Sequence, residues 1–314
     1  MSARRWRVVH WENKAGAAAH CKRGFGFHPV VCSTSDGEPL WVKLRAGNAA
    51  ANSIADRLEV LDAAVAVLPL ADAAGHRGGD DSNLALRPLV ARIDAAGASP
   101  ALVGELAGRN IGYAVSARSS PAVTAAVRCA VGEPSLCHDV PDRPKQRRGR
   151  AQVADLADLA DLSGRPPRTR LVVRREPRHP GAQRSLFASE NFRCRGFLAD
   201  QAGHPTRLGR LMRKHADIED AIARLNHSGP ARVPFADWHA NSTRAALRAL
   251  SLMLVGWFQN ACLTCPLRRA APKRLRRQLW HLPAAVCRSA RRVLLRLPQQ
   301  HPGAKALLAI AHPH

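Results

Sequence analysis

The sequence predicts an α/β protein, and three observations predict it. Its first third alternates short β-like runs with amphipathic helical runs, in the order strand, strand, helix, strand, helix, strand. Its middle third adds further β-like segments, and past residue 205 the pattern becomes helical and strongly basic. At 314 residues the chain has the length of two domains, or of one large domain with an insertion.

Taken in order, Phe27 to Thr34 and Pro39 to Leu44 read as strands around Ser35-Asp36-Gly37-Glu38, whose Asp-Gly pair is a hairpin signal. Asn52 or Ser53 can cap a helix in which Ile54, Leu58, Leu61 and Val65 recur at helical spacing and which Pro69 stops. After a polar loop with Gly78, Gly79, Asp80 and Asp81, Leu84 to Ile93 reads as a buried strand ending at Asp94. Pro100 to Leu106 then reads as a short helix and Ile111 to Ser116 as another strand.

Residues 137–150 are rich in proline and charge and read as a surface linker or a loop of an inserted module. The repeat ADLADLADL at 154–162 spaces Asp155, Asp158 and Asp161 three apart; an exposed amphipathic turn of helix is expected in preference to a metal site. Leu171 to Arg174 and Asn191 to Leu198 read as strands. Leu211, His215, Ile218, Ile222 and Leu225 line one face of a helix whose other surface is charged. The apolar run Ala249 to Cys265 contains Gln259 and Asn260 and is shorter than a bilayer requires, so a buried helix and no membrane span are expected.

The formal net charge is +24, and only seven of the 48 cationic residues are lysine. Arginine's planar fork matches phosphate better than a point charge does, so a polyanion is the expected partner rather than a small-molecule substrate. A GC-rich genome also enriches alanine and arginine, so part of the excess has a compositional origin. Residues 266–314 hold eleven Lys and Arg and no acid, the densest positive segment. The eight cysteines are dispersed, which suits a reducing cytoplasm, and no signal peptide is read at the start.

Several chemistries lack their motifs. Gly24-Phe25-Gly26 has neither the third glycine nor the helix of a phosphate loop, and no Walker-type Gly-Lys-Ser/Thr occurs. Cys262 and Cys265 have the spacing of half a zinc site without the other half. No Gly-x-Ser-x-Gly elbow is present. What is left is carboxylates near a basic surface: Asp94, followed by the small residues Ala95, Ala96 and Gly97, and Glu219 on a basic helix.

GFGFHPVVC (24–32), LRAGNAAANSIAD (44–56), VARIDAAGAS (90–99), RREPRHPGAQ (174–183), FLADQ (197–201), HADIEDAI (215–222) and APKRLRRQLWHL (271–282) form a collinear series. In order and spacing it resembles the DDE transposases of bacterial insertion sequences, in particular the group whose type element is numbered thirteen-eighty. The resemblance runs from about residue 8 to about residue 298 and implies a ribonuclease-H-like core with a β-rich insertion and a basic helical C-terminal segment. It implies residues 1–118 as the first part of the core without its first catalytic strand, 119–204 as the insertion, 205–265 as the remainder of the core carrying the final Glu, and 266–314 as the basic segment. It also implies two Mg²⁺ ions held by acids, with Asp94 and Glu219 as metal ligands and catalytic residues. Double-stranded DNA is the implied partner, contacted by Arg213, Lys214, Arg224, Arg268, Arg269, Lys273, Arg274, Arg276 and Arg277, with self-association possible.

The departures are specific. The family's first Asp corresponds to Ala3, and its Arg before and Lys after the final Glu correspond to His215 and Asn226. The expectation is a truncated or degenerate copy, cytoplasmic and of low solubility, that binds DNA with impaired strand cleavage and transfer. The alternatives are a non-catalytic fragment that competes with intact transposase, or a functionless relic.

Overall fold

Val30 and Cys32 turn to one side of their strand and Val31 to the other, and each side meets its own hydrophobic core. The computed structural model describes residues 2–3, 6–8, 13–19, 24–69, 89–94, 99–117, 120–140, 151–177, 192–213, 222–225, 233–263 and 266–311. The chain opens with β1 (Ser2–Ala3), β2 (Trp6–Val8), β3 (Ala18–Ala19), β4 (Phe25–Phe27), β5 (Val30–Ser33), β6 (Pro39–Lys43) and helix α1 (Ile54–Ala66). The run expected as one strand from Phe27 is interrupted at Pro29, which has no N–H to give a ladder. Before the break β4 pairs with β2 and β3; after it β5 lies between β1 and β6. Ser2 and Ala3 of the two-residue β1 pair with Val31 and Val30. The hairpin turn forms where expected: Gly37 takes φ 84° and Thr34 N–H donates to Glu38 O at 2.8 Å. Ser53 Oγ caps α1 by accepting from Asp56 N–H at 3.3 Å.

The second sheet follows: β7 (Val90–Ile93), α2 (Pro100–Gly108), β8 (Gly112–Ser116), α3 (Pro121–Gly132), β9 (His138–Val140), β10 (Ala151–Asp155), β11 (Arg170–Pro177) and β12 (Phe192–Ala199). Its six strands run in the order β7-β8-β12-β11-β10-β9. The β7–β8 pair is parallel, with α2 as the crossover, and every other pair is antiparallel. Because β12 bonds to β8, the strands of the expected insertion extend the sheet that precedes them. On one face Ile93, Tyr113, Val115, Leu171, Val173 and Leu198 share a core with Val30, Cys32, Val60 and Leu61, so both sheets are covered on that side by α1 and its neighbours. On the other face Val140, Val153, Val172 and Phe197 pack beneath Leu208 of helix α4 (Pro205–Arg213).

The aspartate repeat is not helical as expected: it finishes β10 and continues as a short 3-10 turn, Ala157–Leu159. Hydrogen bonding decides this, since Val153 and Ala154 pair with Arg174 and Val173 of β11. Asp155 accepts from Arg170 Nε at 2.7 Å and Asp161 from Ser163 N–H at 2.9 Å, so these carboxylates serve local structure.

Of the helix expected through Leu211 to Leu225, α4 ends at Arg213, residues 214–221 lie outside the described segments, and 222–225 are helical. Helix α5 (Trp238–Cys262) lies across β6 and closes the second core, in which Ile222, Leu225, Ala245 and Leu252 meet Phe27, Val31, Val42 and Leu44. The C-terminal segment, which the resemblance implies is helical, contains a hairpin, β13 (Ala285–Ser289) and β14 (Arg292–Arg296), before helix α6 (Pro302–Ala311). Five cross-strand pairs, from Ala285–Arg296 to Ser289–Arg292, hold the hairpin, and Ala290, at φ 52°, lies in its turn. No described helix is long and apolar enough to cross a membrane.

Candidate active site

A parallel strand presents its carboxyl end as the natural place for reactive groups in an α/β sheet. In this chain that place is Asp94, immediately after β7. Its side chain is 26% exposed, and its Oδ1 accepts from Arg57 Nη2 at 3.1 Å. Arg57 is fully buried on α1, where its Nη2 also donates to Ala51 O at 3.0 Å. The buried stripe of α1 is Arg57, Val60, Leu61 and Ala64, while the expected Ile54, Leu58 and Val65 flank it. One oxygen of the carboxylate is therefore engaged by a guanidinium that cannot be deprotonated.

Two glycine-containing motifs form the scaffold behind this pair. His28 N–H donates to Arg45 O at 3.0 Å, and Arg45 Nε returns a bond to His28 O at 2.9 Å. Arg45 Nη1 also donates to Ala50 O and to Asp56 Oδ2, both at 2.9 Å. Gly47 is required by close approach, because a Cβ there would lie 2.2 Å from Gly26 O. Burial works against charge on Asp56, but hydrogen bonds from Lys43, Arg45 and Ser53 outweigh it and bring its pKa down to about 2.

Arg92, two residues before Asp94 and 6% exposed, spans three elements. Its Nη2 donates to Ser35 Oγ at 3.0 Å, beyond β5, and its Nη1 to Leu211 O at 3.5 Å, near the end of α4. Glu219 and Lys214 lie outside the described residues. The chain on either side of Glu219 is anchored: Leu211 at Arg92, and Ile222 and Leu225 in the core with Phe27 and Val31. Ala3, the position the resemblance gives to the first acid, is paired with Val30.

The expected basic contacts divide. Arg213 is half-buried and lies near Glu176, whose carboxyl is penalised by burial yet held below the usual range by Arg174 at 2.6 Å, with Arg213 and Arg195 adding to the pull. Arg224 Nη2 donates to Ala270 O at 3.1 Å, which ties it to the C-terminal segment. Arg268, Arg269, Lys273, Arg274, Arg276 and Arg277 are all exposed, around a small core of Leu263, Leu267, Leu275 and Leu279. Gln259 holds that turn in place, its Nε2 donating to Leu267 O at 2.8 Å and Ala270 O at 2.9 Å.

The model of the family described as transposase DDE domain group 1 matches residues 6–312. The chain belongs to that family. No curated protein matches it. For this transposase domain the family points to DNA transposition, with DNA as partner, and DDE transposases generally use divalent metal ions. Ala3 carries no side-chain donor, Asp94 shares an oxygen with Arg57, and among the described residues no three His, Cys, Asp or Glu side chains converge. Sequence reasoning missed the structural arginines of the transposase domain. Arg45, Arg57, Arg92, Arg174, Arg175 and Arg248 are buried and do not face a polyanion. The available signal for Arg57 was its place three residues after Ile54 and four before Leu61, on the apolar face.

Proposed function

We propose that this chain is a degenerate DDE transposase of the insertion-sequence group numbered thirteen-eighty, which binds double-stranded DNA and is impaired in cleavage and strand transfer. The observation that carries the proposal is the Arg57–Asp94 ion pair at the end of β7, together with an alanine at position 3, where the resemblance puts the first acid. A ribonuclease-H-like core is supported by the order of elements from β1 to β8 and by Asp94 at the end of β7. Asp94 and Glu219 then stand for the second and third acids of the family, and the missing first acid removes one of the groups that would hold Mg²⁺.

The test is nicking of supercoiled plasmid by the purified chain with Mg²⁺ or Mn²⁺. No nicking above background is expected. Metal-dependent nicking that disappears in both Asp94→Ala and Glu219→Ala overturns the impairment.

DNA binding without cleavage is the reading favoured by the six exposed cations between Arg268 and Arg277. Each phosphate neutralised contributes about −0.9 to the slope of log K against log salt. Replacing Arg268, Arg269, Lys273 and Arg274 by Gln is expected to flatten that slope by about 3.6 units if each contacts one phosphate. An unchanged slope places the DNA surface elsewhere.

A further inference from the structure

Helix α5 has two apolar faces, and the fold covers one of them. Asn241, Ala245, Arg248, Ala249, Leu252 and Gln259 are buried on the inner side. On the other side Leu247, Leu250, Leu254 and Trp257 are 56%, 47%, 52% and 53% exposed. Single exposed leucines are ordinary on protein surfaces. These four are spaced three, four and three residues apart, the a/d repeat of a coiled-coil seam, and Thr243 and Ala261 extend the same row at both ends. The covered face already supplies the helix with a core, so the row is not needed for folding of the single chain.

We propose that this row is a homodimer seam in which two copies of α5 pack antiparallel across a twofold axis at the level of Leu252. The pattern is self-complementary in that direction. Leu250 of one copy meets Leu254 of the other, Leu247 meets Trp257, and Thr243 meets Ala261, as an isologous contact requires. Direction follows from charge. The helix has no acidic residue, its first half carries Arg244 and Arg248, and its last turn carries none. Parallel packing sets Arg244 beside Arg244, whereas antiparallel packing sets it beside the electronegative C-terminal end of the partner helix. The four row residues are uncharged, which suits a contact between two chains that otherwise repel through a net charge of +24 each. The four side chains expose roughly 450 Å² per copy, and the exposed flanking residues Thr243, Ala246, Ser251 and Ala261 bring the pair above the ~1,000 Å² that a specific interface needs.

The test is sedimentation equilibrium of the full chain from about 0.1 to about 50 µM, since dimerisation follows mass action. A monomer–dimer equilibrium is expected, weakened at least tenfold in Leu250→Glu/Leu254→Glu with an unchanged far-ultraviolet circular dichroism spectrum. Mixing Leu250→Glu with Leu254→Lys is expected to restore the dimer, because those positions face each other. A chain that is monomeric throughout, or whose dimers or larger oligomers persist in the double Glu variant, overturns the seam. Restoration by Leu250→Glu with Leu250→Lys instead overturns the antiparallel arrangement.

Discussion

Removing either member of the Arg57–Asp94 pair is expected to give unequal losses of stability, because the two partners are buried to different degrees. Arg57 is 0% exposed, while the Asp94 side chain is 26% exposed. Breaking a buried ion pair by deleting one partner costs about 3–5 kcal/mol when the charge left behind cannot reach water. Asp94→Ala leaves the guanidinium in the core, and a loss of about 3 kcal/mol is expected, at the lower end because part of the lost carboxylate was already hydrated. Arg57→Met keeps the stem packed and leaves a carboxylate that water reaches, so about 1–2 kcal/mol is expected. The double variant Arg57→Met/Asp94→Ala should lose at least about 1 kcal/mol less than the sum, the signature of direct coupling. Urea denaturation followed by tryptophan fluorescence measures all four chains on one scale. A stability for Asp94→Ala equal to or above the parent, together with additivity in the double variant, refutes the assignment of Asp94 to Arg57. That outcome is what a carboxylate kept for chemistry at a cost to stability would give.

Gln259→Leu removes the donor to Leu267 O, while Ala270 O keeps its bond from Arg224, so a loss of about 2 kcal/mol is expected. It should appear as faster proteolysis within residues 266–311 with the sheet core unaffected. Ala290→Gly relieves a left-handed φ of 52° and is expected to stabilise the 285–296 hairpin by about 1 kcal/mol, read as slower amide exchange in β13 and β14. Asp56, held at about 2 against an ordinary value of 3.8, lowers its pKa on folding. Its contribution to stability is complete above the unfolded value and is lost as pH falls toward 2. Asp56→Asn should therefore be less stable than the parent at pH 6, with the gap closing as pH drops from about 4 to about 2; a gap independent of pH excludes the carboxylate as its cause.

Local chemistry was legible wherever a turn or a cap decides it. The Asp36-Gly37 turn, the Ser53 cap, the helix at Pro100 and the strand before Asp94 all follow from residues close in sequence. The aspartate repeat was not legible, because its three-residue period mimics a helix and only pairing of Val153 and Ala154 with β11 draws it into a strand. The C-terminal hairpin was missed for a related reason. Its density of arginine resembles a solvated helix, and the cross-strand partners that hold it lie at the far side of the turn.

By itself the sequence determined a mixed α/β class of fold, a strongly basic chain and a resemblance to DDE transposases, the family whose model matches residues 6–312. These are properties of residue type and spacing, and they survive without knowledge of what touches what. Only the tertiary structure decided which charges face inward. It turned Arg45, Arg57 and Arg92 into the hydrogen-bonded frame of the core, set Asp94 against a buried guanidinium, and left Leu247, Leu250, Leu254 and Trp257 in water. The physical reason is that burial and pairing depend on contacts between distant segments, such as Arg57 of α1 with the end of β7.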